Sequence, residues 1–570
     1  MLQFLIKEKC LVSFSALIAC LGLFVLPDAM PWASFYPEYI FSAAFLFVII
    51  YSIARHHTPA KIKTSSLIII PFAIFPIISY LANRPPYNGP FFLSWVYLIS
   101  ASLLFILSSS FNSAENIIIK FIFSFFILSS LASFGVQILQ LLSFNLFLAI
   151  QIDGRLSGVI GQPNIAATFS ILGLCGLAYF FDPSKFSIRH YFLAGLMIFG
   201  LALTQSRSGL LNATLLSVLF FLIKERKIKP FLYSLTVLFI FWALASYLLN
   251  GSSTNYLSAS ERDLSTGGGR LEIWKMSIDA LFQHPWLGYG LGSVSQVQLA
   301  SPYFLPGRAI LGYSHNFILD IAIWLGIIPA VFILFILAFI LSKSIPIVRS
   351  GNAGAAIFMG FVAIFTHALL EAPLTYSYLL FPFATFAGFL FSFSAKNNTI
   401  NVSEKTFALP FLLLLIPMIF IMQDYRLIRK AMATSIAYSE GKQVRKSDLM
   451  PENFLIFDHW KDFFHVFYQP TQALHEESIK KLHYLAAALP NNVLDAKLIF
   501  SLQEKGDAPG AIRHLMKACS TEAQDACDAL RSIPMIAKTV QARDSLCASK
   551  AQSSTNLLLS PDNLPVAACY

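Results

Sequence analysis

Long apolar runs alternate with short polar stretches through the first 420 positions of this chain, and the runs have the length of bilayer-crossing helices. A spanning helix needs about 20 largely apolar residues. About thirteen runs qualify, centred near 19, 46, 74, 101, 126, 172, 197, 216, 240, 328, 362, 384 and 414. The first has the length of a signal peptide, but further spans follow it and no small-residue cleavage site stands behind it, so it is expected to stay as a helix. After the last run, which covers 407 to 422, the period changes. The segment "LPNNVLDAKLIFSLQEKGDAPGAIRHLMKAC" predicts two short amphipathic helices around a glycine turn, similar to one tetratricopeptide-like unit. The pattern therefore predicts an all-α polytopic membrane protein with a small helical tail.

Composition agrees: of 570 residues 56% are hydrophobic and only 12% charged, which excludes an ordinary soluble enzyme. The net charge of +10 could suggest nucleic acid, but the basic residues punctuate the apolar runs. Lys7 and Lys9 precede the first; Arg55, Lys61 and Lys63 follow the second; Lys224, Arg226, Lys227 and Lys229 follow the eighth. By the positive-inside rule these are cytoplasmic loops, and no nucleic-acid partner is expected. With the N-terminus inside, the cytoplasmic loops fall at 55 to 63, 111 to 120, 182 to 190, 224 to 230, 343 to 353 and 395 to 405. The opposite set, including 27 to 39, 83 to 90 and 371 to 377, is poor in positive charge. Odd parity puts 423 to 570 in the periplasm of a Gram-negative cell, where Cys519, Cys527, Cys547 and Cys569 are able to form one or two disulfides of unassigned pairing. Neither CxxC spacing nor a histidine cluster marks a metal site. Four regions are expected: N-terminal helices over 1–150, a catalytic core over 151–395 with a long periplasmic loop at 250–314, a last span within 396–422, and the tail over 423–570.

Polar residues concentrate in four exterior stretches: "GRLSGVIGQPN" (154–164), "TQSRSG" (204–209), "GGGRLEIW" (267–274) and "GYSHNFILD" (312–320). Arg207, between two apolar runs with almost no loop, either snorkels to the interface or binds an anion. A diphosphate is matched by two guanidinium forks, and Arg270 is the second candidate. The glycine run ending at Gly269 is either a hinge or a backbone cradle at a helix start. His315 begins the tenth run, followed by Asn316. At a helix N-terminus the imidazolium is disfavoured, which leaves the neutral ring a general base needs; the alternative is an interfacial ring bonded to water. Asp320 and Glu371 are alternative orienting carboxylates, and His367 shares a helix face with Glu371 and pairs with it in the simplest reading. "GQPN" is either a helix start capped by Gln162 and Asn164 or a pair of amides for sugar or phosphate.

In this order, "GQPN", "SRSG", "GGGRLEIW" with "HPWLGYGLGS", and "SHNFILDIAIWLGI" resemble the shared domain of O-antigen ligases, Wzy-type polymerases and bacterial protein O-glycosylation ligases, over roughly residues 150 to 395. "EAPLTYSYLLFPFATFAGFL", "PWASFYPEY" and the long tail look most like the protein-glycosylating, PglL-type O-oligosaccharyltransferase branch. The resemblance implies a GT-C-like inner-membrane glycosyltransferase with a periplasmic active site. It implies transfer of a glycan from undecaprenyl diphosphate to a Ser or Thr hydroxyl of a periplasmic protein or pilin, with inversion and with no metal or cofactor. It also implies roles: Arg207 and Arg270 on the diphosphate, His315 as base. Gln162, Asn164, Gly269, Asn316 and Glu371 are expected to line the substrate site. Ligation to lipid A core and polymerisation of O-antigen units would use the same residues. A transporter is the remaining alternative, but its ionisable residues belong near the bilayer midplane and its halves repeat, neither of which the sequence shows.

Overall fold

The computed structural model describes residues 2–25, 32, 34–55, 60–111, 113, 116–142, 155–181, 187–225, 228–250, 270–301, 311–393, 398–468, 476–489, 491–521 and 524–543. In chain order the helices are α1 (Leu2–Gly22), α2 (Phe35–Arg55), α3 (Pro71–Asn83), α4 (Gly89–Ser109) and α5 (Ile117–Leu141). There follow α6 (Pro163–Phe180), α7 (Ile188–Leu203), α8 (Arg207–Phe220), α9 (Ile228–Asn250), α10 (Arg270–Gln283), α11 (Val294–Ala300) and α12 (Phe317–Leu325). Then come α13 (Ile327–Lys343), α14 (Ile345–Ser350), α15 (Asn352–Ala368), α16 (Ser377–Ser392), α17 (Glu404–Leu413) and α18 (Leu415–Ser439). The remainder are α19 (Lys446–Leu449), α20 (Asp458–Tyr468), α21 (Glu476–Ala488), α22 (Asn492–Glu504), α23 (Ala508–Thr521) and α24 (Gln524–Arg531).

Among the described residues, 7 helical segments are long and apolar enough to cross a bilayer, and shorter apolar helices occupy 188–203, 207–223, 236–249, 352–368 and 377–392. The chain is a multi-pass membrane protein. Two of the expected runs have different bounds. The run centred near 328 is divided, because α12 stops at Leu325, Gly326 turns to φ +95°, and the span proper runs Ile327–Arg349. The helix that holds the last run continues past 422: the helical segment covers Glu404–Ser439, and beyond the apolar window Asp424, Tyr425, Ile428 and Ala431 form a buried stripe.

The chain divides into two compact units. The first comprises 1–73, 96–268 and 332–418. Here α5 packs against α1, α2, α6 and α7. Burying apolar surface against a neighbouring helix gains little over lipid, so dense ring packing carries the association. Phe41 meets Phe125 at 4.8 Å, Phe123 meets Phe386 at 5.2 Å, and Phe361 stacks on Phe383 at 5.1 Å. At one end, β1 (Ala60–Lys63) and β2 (Thr399–Val402) pair antiparallel, Ala60 opposite Val402. Two loops predicted to share a membrane face thus form one ribbon.

The second unit comprises 74–95, 269–331 and 419–570. Its loop layer is built on Ala280, Val294, Val297 and Ile323, with Ile273 and Met276 beside Trp274 and Leu311. The tail has its own core, including Leu482, Leu485, Leu498, Leu515 and Leu530. The predicted helical hairpin is α22 and α23, separated at Gly506 with φ +83°. Asn491 caps the first through Val493 N at 2.8 Å, and Asp507 accepts from Gly510 N at 2.9 Å in the first turn of the second. Cys519 and Cys527 form a disulfide, while Cys547 and Cys569 lie outside the described residues. The tail packs on its surroundings: Tyr87 enters its core and donates to Asp462 at 3.1 Å, Asp458 accepts from Asn88 N and Gly89 N, and Lys517 donates to the carbonyls of Leu299 and Ser301. Asp424 of α18 accepts the amides of Leu455, Ile456 and Phe457, which anchors the start of the tail to the last helix.

Candidate active site

In the first unit the stretches 155–164, 204–209 and 371 meet in one polar knot. Pro163 opens α6, where its missing N–H costs nothing. Gln162 holds the N-cap position, but neither amide caps the helix. Gln162 makes no capping bond and its Oε1 is buried without a partner among the described residues. Asn164 lies inside the first turn and faces away from the backbone: its Nδ2 donates to Glu371 Oε1 at 3.0 Å, and its Oδ1 accepts from Ser206 Oγ at 2.7 Å. The capping reading of "GQPN" is therefore replaced by a tertiary one. The simple pairing of His367 with Glu371 is also replaced, since His367 Nδ1 bonds Thr168 Oγ1 at 2.8 Å.

The turn before Arg207 is over-determined. Gln205 takes φ +47°, a conformation costly for a residue with a Cβ. Its Nε2 donates to Ala202 O at 2.8 Å, its Oε1 accepts from Ser246 at 3.0 Å, and Thr204 Oγ1 accepts from Ser206 N at 3.2 Å. Ser206 then caps α8 through Gly209 N at 3.0 Å. A Cβ on Gly209 would approach Ala167 Cβ to 2.6 Å, so glycine lets α8 lie directly on α6. Arg207 follows as the first residue of α8. The N-termini of α6 and α8 thus share one knot, and the dipole of each favours negative charge there.

One member of the knot was not singled out from sequence. Arg155 is buried and its guanidinium reaches Asn164 Oδ1 at 3.4 Å. The signal was present, because Arg155 is a charge in a short polar stretch of an apolar chain, the same argument that marks Arg207. Arg155 brings a guanidinium to the knot and Glu371 a carboxylate.

In the second unit His315 lies just before α12, where Asn316 and not His315 is the cap, its Oδ1 accepting from Ile318 N at 3.0 Å and Leu319 N at 3.2 Å. His315 itself has φ +58°. Its neighbour Ser314 is fixed from two sides: its N–H donates to the buried Asp320 carboxylate at 2.7 Å, and its carbonyl accepts from Trp274 Nε1 at 3.2 Å. Asp320 lies within electrostatic reach of His315. Arg270 opens α10 one turn before Trp274 and on the same side of the helix. The far end of α12 is locked by two glycines. A Cβ on Gly288 (φ +61°) would strike Ile323 O at 2.4 Å, and one on Gly326 would strike Trp286 O at 2.2 Å, which leaves room for Tyr289 N to donate to Ile323 O at 2.7 Å. The motif "HPWLGYGLGS" is thus a backbone clamp that sets the direction of α12.

Arg207, Asn164, Gln162 and Glu371 therefore belong to the first unit, and Arg270, His315 and Asn316 to the second; Gly269 lies outside the described residues. Among the described residues no group of His, Cys, Asp and Glu is placed to hold a metal ion. Two of the three strained non-glycine residues among those described are Gln205 and His315, each bracketed by bonds that hold the strain.

The O-antigen ligase family matches residues 192–335, and the family of the C-terminal part of the virulence factor membrane-bound polymerase matches 356–522. A ComP-specific O-oligosaccharyltransferase of Acinetobacter baylyi is 30% identical over 358 residues, 59% of this chain and 64% of that one. A general O-oligosaccharyltransferase of the same organism is 26% identical over 443 residues, 71% of this chain and 74% of that one. The chain thus spans just under two thirds of the first relative's length. The chain thus carries a match to the O-antigen ligase family over residues 192–335 and is similar to O-oligosaccharyltransferases over much of its length.

Proposed function

We propose that the protein transfers a glycan from a lipid diphosphate carrier, undecaprenyl diphosphate, to a Ser or Thr hydroxyl of a periplasmic protein or pilin, without a metal. The observation that carries this reading is the match to two relatives that are both named O-oligosaccharyltransferases. The disulfide at Cys519–Cys527 supports an oxidising compartment for the tail, hence a periplasmic face for the chemistry. In this reading the fold is GT-C-like, with about thirteen spans, and residues 151–395 are its catalytic core.

The chemistry follows from charge. As the acceptor oxygen bonds to the anomeric carbon, the bond to the diphosphate breaks and negative charge collects on the departing phosphate. Arg207, with Arg155 and the N-termini of α6 and α8 beside it, offers fixed positive potential for that charge, and Arg270 a second guanidinium fork. His315 takes the hydroxyl proton. Gln162 Oε1, buried without a partner among the described residues, is an acceptor for a sugar or carrier hydroxyl. Attack in line with departure inverts the anomeric centre.

The test is mass spectrometry of periplasmic protein from cells with wild type or His315→Ala at matched membrane levels. Glycosylated Ser or Thr peptides that vanish in the variant support the reading. Unmodified protein with altered lipopolysaccharide capping or length instead assigns the same site to O-antigen ligation or polymerisation.

A further inference from the structure

The helix α10 has two faces, and only one is explained by the loop layer it belongs to. Ile273, Met276 and Ala280 are buried in that layer. On the opposite side Leu271, Lys275, Ile278 and Phe282 recur at helical spacing and are all exposed. Leu271 is 71% exposed and Phe282 76%. One flank of this stripe carries Glu272, Asp279 and Gln283; the other carries Arg270 and Trp274. An aliphatic and aromatic stripe of this extent, bounded by charge, is what a helix presents when something apolar lies against it.

The stripe does not end with α10. Trp286, 67% exposed, and Leu287 follow it. Both are tied to the start of a span, because Ile327 N donates to Pro285 O at 2.8 Å and Gly326 is pressed on the Trp286 carbonyl. The exposed side of that span continues with Ile327, Ile328 and Val331. On α3, Ile74, Ile78 and Leu81 are exposed too, and Ser79 of the same helix donates to Leu287 O at 2.8 Å and Trp324 O at 3.0 Å. Exposed apolar residues therefore follow from α10 through Trp286 and Leu287 to the start of one candidate span, and recur on α3 of another.

We propose that α10 is an interfacial helix, lying with Leu271, Ile278, Phe282 and Trp286 in the headgroup–acyl boundary of the bilayer. Aromatic rings at 282 and 286 suit that depth, Lys275 reaches from the stripe to the headgroups along its own methylenes, and the flank with Glu272 and Asp279 meets water. The membrane surface thereby sets the level of Arg270 and of the Trp274 side chain that holds Ser314. The inference does not depend on which group the protein transfers.

The test replaces Ile278, Phe282, Glu272 or Gln283, one at a time, by the photo-cross-linker p-benzoylphenylalanine in the full chain in native membranes, with Phe335 on the span 327–349 as a lipid-facing reference. All four positions are exposed, so the ring replaces no core contact. Phospholipid adducts at 278 and 282, about five-fold or more above those at 272 and 283, are expected for an interfacial stripe. Adducts to another protein or to a second copy at 278 and 282, or no lipid adduct there while Phe335 gives one, would overturn the proposal.

Discussion

Asn164 donates its side-chain amide to the Glu371 carboxylate at 3.0 Å, joining the start of α6 to the chain beyond α15 across 207 positions. Through its other amide atom Asn164 also holds Ser206, the cap of α8. One side chain therefore fixes three polar stretches that arrive from separate helices. Asn164→Ala removes these bonds and the one from Arg155 at a half-buried site, and the expected cost is about 1–3 kcal/mol of stability with transfer activity falling at least about ten-fold. Glu371→Gln keeps an acceptor for the Asn164 amide but discards the charge. Its thermal midpoint in detergent should stay near wild type while its activity falls, and a midpoint as low as that of Asn164→Ala would assign Glu371 a purely structural role.

Much of this knot is legible in the sequence because the surroundings are apolar. Arg207 and Asn164 in the first turns of apolar helices, and Glu371 just beyond the end of one, are conspicuous, and a polar group there needs a partner. Which partner it finds is not legible, because the bonds are between distant helices. Thr168 with His367 and Tyr87 in the tail core have no local signal at all. The break at Gly326 is hidden for a different reason: the apolar run is continuous through it, and only the close approach of Trp286 requires the turn.

Lys517 reaches from α23 to the carbonyls of Leu299 and Ser301 at the end of α11, and Gln298 of α11 accepts from Leu311 N at 2.6 Å. Leu311 in turn packs beside Trp274, which holds Ser314. Lys517→Met should therefore speed hydrogen exchange at the Leu311 and Ser314 amides. Unchanged exchange at both would show that the tail does not brace this loop. Burial lowers the Lys517 ammonium to about 8. Between pH 8 and its ordinary value the folded state has released a proton that the unfolded state keeps, so stability rises with pH in that window, and the burial penalty is present in full below it.

His483, packed against the His514 ring in the tail, is lowered by burial and by the neighbouring histidine to about 4, with Asp507 pulling the other way. From pH 6.5 down to 4 the unfolded tail takes up a proton that the folded tail refuses. The tail is accordingly at full stability above pH 6.5 and loses it as pH falls toward 4. Exchange protection across 476–521 should drop over that interval, and His483→Gln should flatten the dependence.

The disulfide between Cys519 and Cys527 closes a loop with a sequence separation of 8. Chain-entropy reasoning for so short a loop gives about 2.5 kcal/mol. Cys527→Ser should lower the unfolding temperature of the tail by that measure, and reductant should reproduce the loss in wild type but add nothing to the variant. A tail equally stable in both forms would show that the helix packing around Leu515 and Leu530 suffices alone.

Arg207 offers the sharpest separation of charge from geometry. Its backbone position is set by the strained Gln205 and the Ser206 cap. Arg207→Lys keeps the charge but replaces a planar fork by a single ammonium, which matches two phosphate oxygens poorly. If Arg207 holds the diphosphate, Arg207→Lys should raise the KM for the lipid-linked donor about ten-fold and lower kcat less, whereas Arg207→Ala should lower kcat as well, because the charge that develops on the departing diphosphate loses its counter-charge. The membrane-level control is the thermal midpoint, which neither change should move by much. If Lys and Ala both leave the donor KM and kcat at wild-type values, Arg207 is an interfacial arginine, and the anion-binding role passes to Arg155 and Arg270.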